Sequence, residues 1–131
     1  QKLKNHENQA LECSLEMKKK LIELNKKWDD SKLSRYWRNH GIDAITMRTG
    51  IHTGSVIAGN IGSPEMLQYS TIGDTVNVAS RLEKANKEFN TEISFSHEIY
   101  TALEEKLFEK AKLSGEITLK GRTSPTKVYS I

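Results

Sequence analysis

The sequence predicts an α+β fold in which helices cover a mainly antiparallel sheet. Strand-like and helix-like runs are mixed along the chain and do not strictly alternate, as they would in a doubly wound parallel sheet. Tight connections rich in Gly, Pro and Ser join the strand-like runs, and connections of this kind suit hairpins. At 131 residues, the chain has the length of one domain.

A long amphipathic helix is predicted first. Apolar residues recur every three or four positions between Ala10 and Trp28 and define one face. Leu11, Leu15 and Ile22 form a second stripe about 100 degrees further round the helix. One sheet needs only one stripe, so the second stripe should contact another element. That element could be an upstream segment, a partner chain or a second layer of the same domain.

Short runs with the period of a strand follow this helix. The predicted strands are 45–51, 56–57, 67–72 and 93–95, and a last hairpin joins 117–120 to 127–131. After the strand at 93–95, a helix should be capped by Ser96 and continue through Leu107 on an apolar stripe.

Another helix is predicted to begin at Asp74, a residue suited to an N-cap. Asn77 and Arg81 lie one turn apart on this helix and fall outside its buried stripe. An amide and a fixed cation on one side suit a nucleotide in a cleft, although a solvated i, i+4 pair would give the same pattern. The buried stripe has the spacing four, three, four and consists of Val78, Leu82, Ala85 and Phe89.

Composition excludes several classes of protein. A hydrophobic fraction of 36% and a charged fraction of 28% are ordinary for a globular domain, and no apolar run is long enough to cross a bilayer. Cys13 is the one cysteine, so no internal disulfide can form. The formal charge of +3 comes partly from lysines that glutamates interrupt along the first helix, which favours a solvated face over a nucleic-acid site.

Three other kinds of site fail on sequence grounds. The glycines at 54 and 59 imitate the start of a phosphate-binding loop, but Asn60 stands where a lysine is needed. The four histidines are too scattered for a metal cluster. The serines at 14, 55 and 63 lack the strand–turn–helix setting of a hydrolase nucleophile.

Two stretches, in order, resemble class III nucleotidyl cyclases, the adenylate and guanylate cyclase catalytic domain. YSTIGDTVNVASRLE, from Tyr69 to Glu83, resembles the family signature, and RTGIHTGSVIAGNIGS, from Arg48 to Ser63, resembles the stretch before it. The resemblance implies a ferredoxin-like sandwich and two domains paired head to tail with active sites at their interface. It also implies a reaction in which the ribose 3'-hydroxyl of a nucleoside triphosphate attacks the α-phosphorus and pyrophosphate leaves.

The resemblance assigns roles to four residues. Asn77 resembles the asparagine that orients the ribose, and Arg81 resembles the arginine that stabilises the transition state. Lys120, in LKGR, resembles the lysine that holds the terminal phosphates, although a solvated hairpin lysine is the plain alternative. Ser70, seven positions before Asn77, takes the place of a residue that helps to read the purine. Serine is chemically closest to the threonine of some adenylate cyclases, so ATP is favoured over GTP.

The family also binds two Mg²⁺ or Mn²⁺ ions through two aspartates that precede the long helix. Asp29, Asp30 and Asp43 follow that helix and match no such motif, so the resemblance places the metal ligands outside this chain. We therefore expect residues 1–131 to be a partial cyclase catalytic domain without its first strands and its metal-binding third. Such a chain should be inactive alone, and a homodimer or a strand-completing second copy should complete its sheet.

The sequence thus predicts a cytoplasmic portion of an adenylate cyclase that makes cyclic AMP for intracellular signalling, with any membrane tether left open. A guanylate cyclase is one alternative. A non-catalytic cyclase-like dimerisation module is another, although it would not need Asn77, Arg81 and Lys120 together.

Overall fold

The elements of the chain are mixed in the way that the sequence predicts. The computed structural model describes residues 5–131, so residues 1–4 of the predicted domain lie outside the described residues. The helices are α1 (His6–Asp30), α2 (Arg35–Arg38), α3 (Asp74–Phe89), α4 (His97–Thr101) and α5 (Glu105–Phe108). The strands are β1 (Thr49–Ile51), β2 (Ile57–Ser63), β3 (Met66–Ile72), β4 (Ile93–Ser96), β5 (Lys112–Ile117) and β6 (Thr126–Ser130).

Four of the strands form the main sheet, in the order β1-β4-β6-β5. β1 pairs with β4 in parallel, whereas β4 with β6 and β5 with β6 are antiparallel. β2 and β3 form a separate antiparallel hairpin, which we call the β2–β3 hairpin. The predicted α+β fold with a mainly antiparallel sheet is therefore confirmed.

Two clusters of buried side chains hold the helices on the main sheet. The predicted stripe of α3 is confirmed, because Val78, Leu82 and Ala85 are buried and Phe89 packs against them. Each large apolar side chain of this kind contributes roughly 1.5–3 kcal/mol when it is fully buried. This cluster is completed by Ile117, Leu119 and Val128. The other cluster comprises Leu11, Ile51, Ile93, Phe95, Ile99, Leu107 and Tyr129.

The predicted long helix is confirmed as α1, but the stripe that it buries is not the one that the sequence suggested. Leu11, from the second stripe, is fully buried, whereas Cys13, Met17 and Leu24 of the first stripe are exposed. The buried residues of α1 all belong to its first half, which lies against the core, and the second half runs past the short strands. The wide apolar face therefore leaves side chains exposed along the whole of α1, with Cys13 and Met17 in its first half and Ile22 and Leu24 in its second.

Two predicted elements differ from the structure because of contacts with distant side chains. The predicted helix from Ser96 to Leu107 is split into α4 and α5. At the break, buried Asn8 donates to the Ala102 carbonyl at 2.9 Å and accepts from the Glu104 N–H at 2.8 Å. The start of the predicted strand 45–51 is also wrong, because the side chain of Asn25 forms both backbone hydrogen bonds of Ile45, at 3.0 and 2.8 Å.

The last hairpin is shifted toward the N-terminus. β5 ends at Ile117, where the sequence predicted that the strand begins, and residues 118–125 form the connection to β6. The register of β5 shifts between Leu113 and Gly115, and Leu113 is exposed, so the strand lacks a regular alternation. At Gly115 the ring of Phe89 occupies the space that a Cβ would need. None of the helices in residues 5–131 has the length and apolarity to cross a membrane.

Candidate active site

A cavity of about 460 Å³ lies between α3 and the segment that follows β5. Its volume falls within the range of small-molecule sites. Asn77 and Arg81 line it from α3, and Lys120 lines it from the opposite segment. The structure therefore brings together three of the four residues to which the sequence assigned a role. The remaining lining residues are Asp74, Val78, Thr118 and Leu119.

The base of this cavity is part of the hydrophobic core. Val78 and Leu119 line the cavity and are also members of the cluster that packs α3 on β5 and β6. Because both side chains are buried, the polar residues next to them in the sequence are fixed relative to the core. The position of Asn77 thus follows from the burial of Val78, and that of Lys120 from the burial of Leu119.

A tight turn presents Lys120 to the cavity. The N–H of Arg122 donates to the Leu119 carbonyl at 3.1 Å, which closes a four-residue turn. Gly121, at the third position, has a φ of 82°, the value that a type II turn requires and that glycine adopts without strain. Lys120 and Arg122 therefore occupy fixed positions on the two sides of Gly121.

Arg81 is already held by a carboxylate. Its Nη1 lies 2.9 Å from Oε1 of Glu88, two turns further along α3. Both side chains retain solvent contact, so this pair contributes on the order of 0–1 kcal/mol to stability. A guanidinium has five N–H donors, so the pair leaves other donors of Arg81 available to a ligand.

The N-terminus of α3 carries the carboxylate of the cavity. α3 begins at Asp74 itself, and no side chain caps it, so the prediction of Asp74 as the N-cap is one residue off. Gly73 precedes the helix with a φ of 140°, a conformation that glycine tolerates. Asp74 instead lies 3.7 Å from Nη2 of Arg122, and this contact links α3 to the turn.

His52 lies near this end of the site. Its Nδ1 is 2.8 Å from the Ser96 hydroxyl and its side chain is largely buried. Burial lowers the pKa of His52, while the charge of Glu98 raises it, that of Arg122 lowers it and that of Asp74 raises it. Because burial has the largest effect, the pKa of His52 lies below its usual value and the neutral form of the ring is favoured.

Ser70 lies outside this cavity. It belongs to β3, pairs with Gly59 across the hairpin and is half-buried. The cavity lining contains no residue of the β2–β3 hairpin. In the structure of this single chain, the proposed purine residue is therefore not grouped with Asn77, Arg81 and Lys120.

The described residues do not form a metal site. In residues 5–131 there is no group of three or more His, Cys, Asp or Glu side chains that could bind a metal ion. Asp74 is the carboxylate of the cavity, and it faces Arg122.

The whole chain matches a known domain family. Residues 1–131 match the adenylate and guanylate cyclase catalytic domain. The chain belongs to this family. Adenylate cyclase 1 of Rhizobium meliloti is 32% identical over 126 residues, which cover 96% of this chain and 17% of that protein. The soluble guanylate cyclase subunit beta-2 of Rattus norvegicus is 39% identical over 89 residues, covering 68% of this chain and 12% of that protein.

Solved cyclase structures have the same fold. The guanylyl cyclase Cya2 superimposes with a TM-score of 0.70 at 25% identity, covering 97% of this cyclase domain and 58% of that chain. The adenylyl cyclase CyaB from P. aeruginosa gives a TM-score of 0.54 at 33% identity, covering 82% of this chain and 53% of that one. The predicted ferredoxin-like sandwich is therefore confirmed. The chain spans less than a fifth of the length of each of the two curated relatives.

Sequence reasoning missed two carboxylates beside the cations of this cyclase domain. Glu88 pairs with Arg81, and Asp74 pairs with Arg122. The spacing of seven residues between Arg81 and Glu88 could have indicated the first pair, because residues two turns apart share a helix face. Asp74 and Arg122 are far apart in sequence, so no local pattern indicated the second pair.

Proposed function

We propose that this chain is part of an adenylate cyclase that converts ATP into cyclic AMP and pyrophosphate. The observation that carries the proposal is the single cavity lined by Asn77, Arg81 and Lys120. An amide and two cations around one cavity match the needs of a nucleoside triphosphate, which has a ribose with hydroxyl groups and a chain of charged phosphates.

Each of these residues has a chemical task in the proposal. The Asn77 amide can both donate to and accept from the ribose hydroxyls and so orient the attacking 3'-oxygen. Arg81 donates to the oxygens around the α-phosphorus, on which negative charge builds during the attack. Lys120 binds the terminal phosphates, which leave as pyrophosphate. Divalent metals, which the family generally uses, would supply further charge neutralisation through Mg²⁺ or Mn²⁺ ligands outside residues 5–131.

ATP is the proposed substrate because of Ser70. A serine hydroxyl can accept a hydrogen bond from the adenine amino group. The relatives include both adenylate and guanylate cyclases, so the proposal of ATP rests on this residue. Nucleoside triphosphates are held inside cells, so the proposed reaction takes place in the cytoplasm.

The choice of substrate can be tested at Ser70. With Mn²⁺ present, the full-length protein should form cyclic AMP faster than cyclic GMP. Ser70→Ala should lower kcat/KM for ATP about five- to tenfold, since one hydrogen bond contributes roughly 1 kcal/mol. Thr71→Ala is the matched control, because it removes the neighbouring hydroxyl on the opposite face of β3. Faster formation of cyclic GMP, or equal losses in the two variants, would contradict the assignment of ATP.

The proposal also includes a second copy of this chain that docks on the β2–β3 hairpin. Domains of this family typically dimerise. An isolated two-stranded hairpin is only marginally stable in water, and large apolar patches indicate interfaces. Met66 is 81% exposed, Tyr69 73% and Leu67 60%. The same hairpin exposes Ile57, Ile61 and Ile72, and the residue just before it, Val56, is exposed as well.

Molar mass in solution tests this interface. Light scattering should give twice the monomer mass for the protein, and Leu67→Lys should shift it to the monomer because a lysine in an apolar contact is unpaired. Leu33→Lys is the control, because Leu33 is 57% exposed and lies outside the hairpin. A wild-type monomer would contradict the dimer. A Leu67→Lys variant that remains dimeric would point instead to a copy that adds a strand at the free edge of β1.

A non-catalytic dimerisation module makes a different prediction. Such a module would form the dimer but give no cyclic nucleotide from ATP or GTP under any metal condition. The retention of Asn77, Arg81 and Lys120 around one cavity favours the enzyme.

A further inference from the structure

We propose that Arg122 is a further phosphate-binding cation at the edge of the candidate active site, beside Arg81 and Lys120, and that Asp74 holds it until a polyphosphate arrives. The inference deepens the proposed function and rests on it for the identity of the ligand as a nucleotide. The inference itself needs less than the cyclase reaction does. It requires only a polyphosphate ligand, two cations on one turn and one carboxylate that competes with the ligand.

The turn at Leu119 places two cations close to each other. Lys120 occupies the second position of the type II turn and Arg122 the fourth, and Gly121 joins them with a φ of 82°. Lys120 lines the cavity, and the buried side chain of Leu119 anchors the turn to the core. Lys120 and Arg122 therefore belong to one turn, which the core anchors next to the cavity.

The contact between Arg122 and Asp74 links the guanidinium to the lining of the cavity. Nη2 of Arg122 is 3.7 Å from Oδ2 of Asp74, and Asp74 itself lines the cavity. Arg122 lines an outer groove of about 290 Å³ that also contains His97, Glu98 and Lys127. We therefore place Arg122 at the border between the cavity and this groove, with Asp74 on the side of the cavity.

The ion pair is weak enough to exchange. The separation of 3.7 Å exceeds hydrogen-bonding distance, and the side chain of Asp74 is 78% exposed, so water screens the attraction. A polyphosphate carries several charges and presents oxygens that a planar guanidinium can bind in pairs. Polyphosphate should therefore displace Asp74 from Arg122.

The test is a calorimetric titration of the full-length protein with inorganic tripolyphosphate, which lacks the base and the ribose. Arg122→Gln should weaken binding about three- to tenfold, less than a buried charge-assisted hydrogen bond would give, because water screens this partly exposed cation. Asp74→Asn should tighten binding about two- to fivefold because it removes the competing carboxylate. Lys127→Gln is the matched control, since it removes a nearby cation of the outer groove, and it should change the affinity less than about 1.5-fold.

Two results, in addition to unchanged binding in Arg122→Gln, would overturn the inference. One is an equal loss of affinity in Arg122→Gln and Lys127→Gln, which would indicate a general effect of net charge. The other is a gain from Asp74→Asn that persists in the double variant with Arg122→Gln, which would mean that Asp74 repels the ligand directly. If Arg122→Gln binds tripolyphosphate like the wild type while cyclic AMP is formed, the inference fails and the proposed function stands. If Arg122→Gln loses affinity but no cyclic nucleotide forms, the proposed function fails and the inference about Arg122 stands.

Discussion

Replacing Arg81 with alanine is expected to lower kcat for cyclic AMP formation about 100- to 1,000-fold, with KM changed less than about threefold. The reason is that the charge on the phosphoryl oxygens increases between the bound substrate and the transition state. Arg81 lines the cavity on the same helix face as Asn77, so its guanidinium is placed for that charge. An interaction that is stronger in the transition state affects kcat, whereas one that is equal in both states affects KM.

Steady-state kinetics of the full-length protein would measure this effect. Arg81→Lys should recover only part of the rate, because an ammonium cannot match the planar fork of a guanidinium. Lys84→Ala is the control: it removes a cation one turn away on α3 that is exposed and does not line the cavity. An Arg81→Ala variant with wild-type kcat would show that another group stabilises the transition state.

The face of α3 that lines the cavity could be predicted from the sequence because its pattern is local. The spacing of Val78, Leu82 and Ala85 identifies the buried side, and it leaves Asn77 and Arg81 on another side. The buried side and the placement of Asn77 and Arg81 off that side both follow from the helical repeat alone. The roles of these residues needed the resemblance to the cyclase family, because a solvated pair has the same spacing.

The parts of the fold that the sequence did not reveal depend on distant side chains. Asn8 breaks a predicted helix almost a hundred residues away through two hydrogen bonds. Asn25 likewise takes the backbone bonds that would have extended β1 at Ile45. The pairing of Asp74 with Arg122 is of the same kind. Periodicity shows which face of an element is apolar, but it does not show which distant polar side chain bonds to the backbone of that element.

The second large effect is expected at Gly50, where α3 crosses β1. A Cβ built on Gly50 would overlap the Ala79 carbonyl oxygen and the Glu83 nitrogen and would lie 2.9 Å from Cα of Glu83. All three atoms belong to the backbone of α3, so no side chain can rotate to make room. Gly50→Ala should therefore lower the free energy of unfolding by about 3 kcal/mol, at the upper end of overpacking effects.

Hydrogen bonds explain why α3 cannot simply move away from β1. Asn86 is buried on α3, and its Nδ2 donates to the Thr49 carbonyl of β1 at 2.9 Å. Its Oδ1 accepts from the hydroxyl groups of Ser94, at 2.7 Å, and Thr91, at 2.8 Å. If α3 were displaced, these buried groups would lose their partners, at a cost of roughly 1–3 kcal/mol for each unsatisfied group.

Urea unfolding at one protein concentration would measure the effect of Gly50→Ala. Gly59→Ala is the matched control, because a Cβ at Gly59 in β2 has no atom within 4 Å and should leave stability unchanged or raise it by up to about 1 kcal/mol. Equal unfolding midpoints for the two variants would show that α3 has room to shift.

A displaced α3 would also separate Asn77 and Arg81 from Lys120. Gly50→Ala should therefore weaken tripolyphosphate binding even below its unfolding transition, because the cavity is formed where α3 faces the turn.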